Sequence, residues 1–284
     1  MIEFLKAILF GVVEGITEWL PVSSTGHMIL LNEFVKLDVS AEFYSFFQVV
    51  IQLGAILSVV ILFWSKIWPF GKKNNNAPLS DHGFGQYIKK DIFVLWFHII
   101  FACIPAIIVG VLLDDLFEEL FYNYVTVSIM LILVGIAFIV VETLLKNRRP
   151  RIKRPSQINY QLAFIIGLYQ VIAAIFPGTS RSGAIIVGAL TLGIARTAAA
   201  EFAFYLAIPV MFGASLLKLV KFGFHFTGHE VAILATGCVV AFVVSLFVIK
   251  FLMGYIRKHD FKVFGYYRIV LGVVVLAFGF LGLI

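Results

Sequence analysis

The chain has 284 residues, of which 61% are hydrophobic and 13% are charged, and its mean hydropathy is +1.02. Soluble domains average about 45–50% apolar and about 25% charged residues, so this composition excludes a soluble globular domain and indicates a polytopic membrane protein. The net charge is +6, and the two cysteines, Cys103 and Cys238, give neither a disulfide framework nor a metal-binding cluster.

The first predicted element is an interrupted apolar segment at 2–37, which is broken at 21–26. Each half of this segment is short for a membrane crossing, which takes about 20 apolar residues. Three apolar segments of full length follow, at about 43–64, 92–113 and 124–145. The first part of the chain is therefore predicted to form one broken helix pair and three membrane-spanning helices.

The second part of the chain repeats this order after a basic linker at 146–155. Another interrupted segment lies at 159–194 and is broken at 177–183, and three full-length segments follow, at about 197–220, 231–253 and 264–284. We therefore predict an all-α polytopic fold with about six transmembrane helices and two broken or re-entrant helix pairs. The predicted repeats are 1–145 and 156–284.

The two broken segments also match residue by residue. Residues 11–24 align without gaps on residues 167–180, with Gly, Ile, Pro and Ser at the same places and Glu14 on Gln170. Further along, the Ala-Glu-Phe sequence at 41–43 recurs at 200–202. Two matching blocks in the same order indicate an internal duplication. Because each half holds an odd number of full spans, the halves are predicted to run in opposite directions, as an inverted repeat.

Charge placement gives a predicted orientation. Most of the 22 basic residues fall in three loops, whereas the segment at 114–119, which we predict to be an acidic loop, has none. The positive-inside rule puts the basic loops in the cytoplasm, and both termini then lie on the outer side. Lys218 and Lys221 fall on the outer side in this arrangement, against the rule. The residues of the three basic loops are Lys66, Lys72, Lys73, Lys89 and Lys90; Lys146, Arg148, Arg149, Arg151, Lys153 and Arg154; and Lys250, Arg257, Lys258 and Lys262.

The candidate site residues lie in the broken segments. Glu14 and Glu18 are four residues apart, so both carboxyl groups face one side of a helix, and acids at membrane depth are costly to keep. The first segment offers Glu14, Glu18, Ser23, Ser24, Thr25 and His27, and the second offers Gln170, Thr179, Ser180, Arg181 and Ser182.

These residue types together suit phosphoryl transfer from a substrate that resides in the membrane. Turns rich in Gly, Ser and Thr at helix starts present backbone N–H groups to an anion, and Arg181 adds a two-pronged donor for phosphate oxygens. Ser24 is a candidate nucleophile, with His27 nearby as a base or acid. Glu14 and Glu18 can hold a divalent cation or relay a proton.

Two other readings stay open at this point. Arg181 can serve only as an ion-pair partner of the glutamates, and Ser and Thr in membrane helices often hydrogen bond to their own backbone. A transporter or lipid flippase is the rival from another functional class, because inverted repeats and polar groups at membrane depth suit transport. Transport, however, does not require a serine and a histidine beside the carboxylates.

At these residues the chain resembles the undecaprenyl-diphosphatase family, also called bacitracin-resistance proteins. The motifs that carry the resemblance are Glu-Gly-Ile-Thr-Glu-Trp-Leu-Pro-Val-Ser-Ser-Thr-Gly-His at 14–27 and Pro-Gly-Thr-Ser-Arg-Ser-Gly at 177–183. The resemblance implies a hydrolase of the bacterial plasma membrane that converts undecaprenyl diphosphate to undecaprenyl phosphate and inorganic phosphate. It also implies association with Mg²⁺ or Ca²⁺ and an active site that opens to the outer face.

We accordingly expect Ser24 to attack the terminal phosphorus, with His27 assisting proton transfer or acting as the nucleophile in its place. Glu14 and Glu18 are expected to hold the cation or relay a proton. The sequence leaves the oligomeric state open, with a homodimer as one arrangement. The expected phosphate-binding residues are Arg181, Ser180 and Ser182, with Ser23, Thr25 and Thr179.

Overall fold

A computed structural model describes residues 1–72, 75, 77–223 and 225–283, without the side chains of 114, 115 and 118. Lys73 and Ile284, which belong to a predicted basic loop and a predicted span, lie outside this description. The described residues form α-helices, two short 3₁₀ helices and no strand. The helices are α1 (Ile2–Thr17), α2 (Ser24–Phe34), α3 (Ala41–Leu62), α4 (Trp64–Ile67), α5 (Lys90–Phe121), α6 (Tyr124–Leu144), α7 (Tyr160–Ile175), α8 (Arg181–Thr191), α9 (Arg196–Phe222), α10 (Gly228–Tyr255) and α11 (Lys262–Phe280).

Six of these helices are long and apolar enough to cross a membrane, which confirms the all-α polytopic prediction. They are α3, α5 (over Lys90–Leu113), α6, α9, α10 and α11. Large apolar side chains point outward from them, including Val111 on α5, Phe247 on α10 and Val270 on α11, each more than 60% exposed. Such a surface suits contact with lipid chains.

The acidic segment at 114–119 was expected to be a loop, and this was wrong. Helix α5 continues through it to Phe121 and has 32 residues. Residues 111–122 contain no Gly or Pro that would end a helix. The next stop signal is Asn123, whose side chain caps the start of α6. The side chains of Asp114, Asp115 and Glu118 lie outside the described residues.

Both interrupted segments break where the sequence predicts. Helix α2 is capped by Ser23 and α8 by Ser180, and each cap accepts a hydrogen bond from a glycine N–H three residues on. These two serines are the non-glycine residues with positive φ in the described chain, at 72° and 67°. Such a backbone costs about 1–3 kcal/mol and occurs often at functional sites. The two turns therefore share one unusual geometry.

Contacts between helices follow the same correspondence. Helix α1 packs on α10, and its counterpart α7 packs on α5. A Cβ at Gly11 would lie 2.7 Å from the carbonyl oxygen of Gly237, and a Cβ at the aligned Gly167 would lie still closer to that of Ala102. Small residues allow this close approach of helices. The assignment of the repeats as domains stays a prediction.

Helices α6 and α11 cross at a pair of glycines. A Cβ at Gly135 would lie 2.7 Å from the carbonyl oxygen of Gly265, and a Cβ at Gly265 would lie 2.7 Å from that of Gly135. The next neighbours also correspond, with Ile269 beside Gly135 and Ile139 beside Gly265. This crossing brings Tyr267 and Arg268 of α11 under the two turns described below.

Candidate active site

Three side chains from the two broken segments meet at helix ends. Glu18 follows the last residue of α1, Ser24 is the first residue of α2, and Arg181 is the first residue of α8. The Ser24 hydroxyl donates to Oε2 of Glu18 at 3.0 Å, and Arg181 donates from its NH2 group to Oε1 of the same carboxylate at 2.9 Å. Glu18 is 8% exposed. One buried carboxylate therefore joins the candidate nucleophile to the candidate phosphate-binding cation.

The starts of α2 and α8 face this meeting point. Ser23 and Ser180 cap them, and the Ser180 and Ser182 hydroxyls lie 3.2 Å apart. The first turn of a helix presents backbone N–H groups that favour an anion. Three of the predicted residues thus build two adjoining turns whose N–H groups can receive an anion.

Several buried polar atoms around the turns have no hydrogen-bond partner in the described structure. Buried polar groups are almost always hydrogen bonded, so an unpartnered group needs an explanation, and a bound ligand is one. The NH1 group of Arg181 has no hydrogen-bond partner, whereas its NH2 group donates to Glu18. The others are Oε1 of Glu14, both amide atoms of Gln170 and the Thr179 hydroxyl.

His27 lies beside the site but does not contact the Ser24 hydroxyl. Its Nδ1 is 2.7 Å from the carbonyl oxygen of Ser23, and its Nε2 is 2.7 Å from the hydroxyl of Tyr267. The two rings are stacked, with centroids 5.6 Å apart. The acceptor for Ser24 is the Glu18 carboxylate instead, a pairing that the sequence analysis did not make.

Arg268 is a residue of the site that the sequence did not predict. It is fully buried and, within the described structure, has no carboxylate partner. Its guanidinium donates to the backbone carbonyls of both turns and of α6, namely those of Pro21, Gly178, Thr179, Leu131 and Met130, at 2.8–3.5 Å. A lone arginine inside the apolar α11 was the available signal. Arg268 fixes the first turn against the second.

The residues partly fit a divalent cation. Both oxygens of Glu18 are engaged by Ser24 and Arg181, whereas Oε1 of buried Glu14 is free. Across the described residues, no group of three or more His, Cys, Asp or Glu side chains is arranged to hold a metal ion. Mg²⁺ often takes only one or two carboxylates, with phosphate oxygens and water completing its shell. A cation held jointly by Glu14 and a phosphate ligand is compatible with this geometry.

A cavity of about 490 Å³ adjoins the two turns. Thr25 of the first turn and Pro177 of the second contribute to its wall. Lys218 also lines it and donates to the Ser45 hydroxyl at 3.1 Å. Lys218, one of the two lysines that conflicted with the charge rule, thus faces a cavity beside the site.

The fold and the site together define a polytopic membrane protein in which a buried carboxylate joins a partly buried serine and a partly buried arginine between two helix-start turns. Residues 7–274 match the family described as bacitracin resistance protein BacA, and the chain belongs to this family. It is 61% identical to an undecaprenyl-diphosphatase of Desulfitobacterium hafniense, covering 98% of this chain and 96% of that protein. It is 59% identical to undecaprenyl-diphosphatase 1 of Clostridium acetobutylicum (98% and 97%) and 55% identical to an undecaprenyl-diphosphatase of Enterococcus faecalis (97% and 96%).

Proposed function

We propose that this chain is a membrane hydrolase that converts undecaprenyl diphosphate to undecaprenyl phosphate and inorganic phosphate. The relatives carry the name of this activity and align over nearly the whole chain. The structural observation that carries the proposal is the hydrogen bond from Ser24 to Glu18, with Arg181 on the same carboxylate. The reaction regenerates a lipid carrier for cell-wall synthesis and removes the diphosphate that bacitracin sequesters.

In the first step, the Ser24 hydroxyl attacks the terminal phosphorus and Glu18 takes its proton. The bond from this phosphorus to the bridging oxygen breaks, and undecaprenyl phosphate leaves with that oxygen. In the second step, water attacks the phosphorus of the phosphoserine, and the bond from phosphorus to the Ser24 oxygen breaks. The serine oxygen takes back the proton that Glu18 holds, and the water becomes part of the inorganic phosphate that is released. The 3.0 Å contact between Ser24 and Glu18 is within reach for such general-base assistance.

Arg181 and the two serine-capped turns are assigned to bind the diphosphate. The free NH1 group of Arg181 and the unpartnered Thr179 hydroxyl are donors that can turn to phosphate oxygens. Ser23, Thr25, Ser180 and Ser182 belong to the same two turns. Donors fixed in advance around the phosphorus stabilise the charge that spreads over its oxygens in the transition state.

His27 is assigned a supporting role. Its ring holds the carbonyl of Ser23, the residue before the nucleophile, and is itself held by Tyr267. A histidine in this position orients the turn that carries Ser24. The alternative in which His27 is the nucleophile has no comparable contact in its favour, because both ring nitrogens are already engaged.

We further propose that Glu14 holds a Mg²⁺ or Ca²⁺ ion together with the substrate, while Glu18 serves Ser24 and Arg181. The free Oε1 of Glu14 supports this division of roles. When bound, the cation would offset phosphate charge. Glu14 lies next to Glu18, and two adjacent buried carboxylates repel each other unless a proton or a cation is shared between them.

Orientation and assembly complete the proposal. We assign both termini to the outer side on the basis of the basic loops, and cysteine accessibility at Ile2→Cys and at Lys153→Cys would test this. A homodimer is proposed as the assembly, and the mass of the purified protein in detergent, corrected for bound detergent, would test it.

The activity test is inorganic phosphate release from undecaprenyl diphosphate by purified protein in detergent. Wild type is compared with Glu18→Gln, Ser24→Ala and Arg181→Ala. Matched controls are Glu42→Gln, Ser58→Ala and Arg154→Ala, which carry the same changes away from the site. The proposal expects all three site variants to lose activity and all three controls to retain it. Detergent has only one compartment, so release there cannot come from transport.

The same assay with magnesium, calcium or a chelator tests the cation. Activity that falls with chelator and returns with either ion supports the Glu14 site. Equal rates in chelator would contradict it without affecting the serine step. The hydrolase proposal itself is rejected if folded wild type releases no phosphate under any of these conditions.

A further inference from the structure

A second cavity, of about 880 Å³, lies at the far end of α8 from the site. Helix α8 begins at Arg181 beside Glu18 and ends at Thr191 in the wall of this cavity. Eleven residues of helix extend about 16 Å, so the two places are separated by roughly half the hydrocarbon core of a bilayer. The cavity is therefore distinct from the hydrolytic site.

The wall of this cavity is strongly basic. Its only carboxylate in the described structure is Glu142, which is 2% exposed and is already held by Arg196 and by the backbone N–H of Phe261. Apart from Arg196, none of the basic wall residues forms an ion pair among the described residues. The basic residues are Lys146, Arg148, Arg149, Arg151, Arg196 and Arg257. An excess of positive charge is thus left without a partner.

Backbone hydrogen bonds hold the basic linker in place over the cavity. The N–H of Arg151 donates to the carbonyl of Gly193 at 2.9 Å, and the N–H of Ala195 donates to the carbonyl of Ile152 at 2.8 Å. These bonds tie the linker to the turn between α8 and α9. The arginines are consequently arranged around a defined space instead of being spread along a free loop.

The surroundings of the cavity suit a ligand with a lipid tail. It lies where α6, α8 and α10 end and α9 begins, so it opens at one face of the helix bundle. Leu144 on α6 and Phe251 on α10, both near this end, are 71% and 61% exposed. A ligand can thus place an anionic headgroup among the arginines while its chains lie on these outward apolar side chains.

We propose that this cavity binds the phosphate group of an anionic membrane lipid, with phosphatidylglycerol as the reference headgroup. Arginine guanidinium groups donate in a fork that matches phosphate oxygens, and five of the six basic residues here are arginines. Basic pockets between membrane helices bind anionic headgroups elsewhere. The one carboxylate in the wall is held by Arg196 and is not free to act as a base, so we assign the cavity to binding the lipid without hydrolysing it.

The test compares two triple variants that remove equal charge from the same two loops. The cavity variant is R149Q/R151Q/R257Q. The control variant is K153Q/R154Q/K258Q, whose residues are exposed and do not line the cavity. The full-length protein in neutral detergent is titrated with phosphatidylglycerol, with phosphatidylcholine and with inorganic phosphate, and the thermal midpoint gives the apparent affinity.

We expect phosphatidylglycerol to raise the midpoint of wild type and control, and the cavity variant to bind it about tenfold or more weakly than the control. Equal weakening of both variants would mean general attraction to a basic surface and would overturn the proposal. A midpoint shift by inorganic phosphate that saturates as readily as the lipid's, and that is weakened in the cavity variant but not in the control, would assign the cavity to free phosphate and overturn the lipid assignment. If the triple variant does not fold, R151Q is compared with K153Q in the same way. Binding is read without hydrolysis, so the outcome is independent of the proposed activity.

Discussion

Glu18 and Arg181 are 163 positions apart in the sequence, and their side chains are joined by a 2.9 Å hydrogen bond. The first belongs to the turn after α1 and the second to the start of α8, so neither broken segment contains the site by itself. Ser24 shares the Glu18 carboxylate with Arg181. In the proposed reaction, Glu18 thus serves as the base for Ser24 and as the counter-ion of Arg181 until substrate arrives.

Glu18→Gln is expected to lower kcat about 10²–10⁴-fold, because the amide cannot take the Ser24 proton. The same change frees Arg181, so binding of inorganic phosphate is expected to be kept or strengthened. Steady-state phosphate release and phosphate titration of the variant measure the two effects. A parallel loss of phosphate binding would mean that Glu18 is needed for the structure of the site, contrary to the base assignment.

The serine step predicts a covalent phosphoserine. The substrate is labelled in its terminal phosphate, and the reaction is quenched in acid during turnover. We expect label on the protein that is stable in acid and is released by alkali. This label should be absent from Ser24→Ala and present in His27→Gln. A label that is trapped by quenching in alkali, is lost in acid and is absent from His27→Gln would instead identify the histidine as the nucleophile.

Arg268→Lys is expected to lower kcat about 10²-fold while KM changes less. A lysine cannot reach the carbonyls of Pro21, Gly178 and Thr179 together, so the two turns shift relative to each other, and small misplacement at a reacting centre has an effect of this size. Kinetics at a temperature where the variant stays folded provide the measurement. Unchanged kcat in a less stable protein would show that Arg268 only supports the fold.

The helix crossing predicts a stability difference between glycines. Gly135→Ala and Gly265→Ala each place a methyl group about 2.7 Å from a carbonyl oxygen of the partner helix and are expected to cost about 1–3 kcal/mol. Gly213→Ala is the control, because no atom lies within 4 Å of its added methyl group. It should be neutral, or stabilising by up to about 1 kcal/mol. Denaturation in mixed micelles compares them, and equal effects at all three sites would contradict the crossing.

Much of the fold follows from the sequence because membrane helices are set by local hydropathy. The six spans and both breaks appear where long apolar runs and the Pro-Gly-Ser turns predict them. The extension of α5 to Phe121 was missed because the predicted span ended with the apolar run at 113, although acidic residues are compatible with a helix that continues beyond the bilayer.

The sequence predicts which residues form the site better than it predicts which of them contact each other. The two motifs identified Glu18, Ser24 and Arg181, yet His27 is closer to Ser24 in sequence than Glu18 is and was the expected partner. The turn at Ser23 places the His27 ring against Tyr267 and the Ser24 hydroxyl against Glu18. Arg268 was missed because its five carbonyl partners come from three separate segments, which no local pattern reveals.

The central claim is that Glu18 and Arg181 act as one unit across the two halves of the chain. The most direct measurement is a double-mutant cycle on kcat/KM for phosphate release, using Glu18→Gln, Arg181→Ala and the double variant. Residues that act as a unit are strongly non-additive, so the double variant is expected to be little worse than the poorer single variant. Losses that multiply independently, or an Arg181→Ala variant with wild-type activity, would contradict the account.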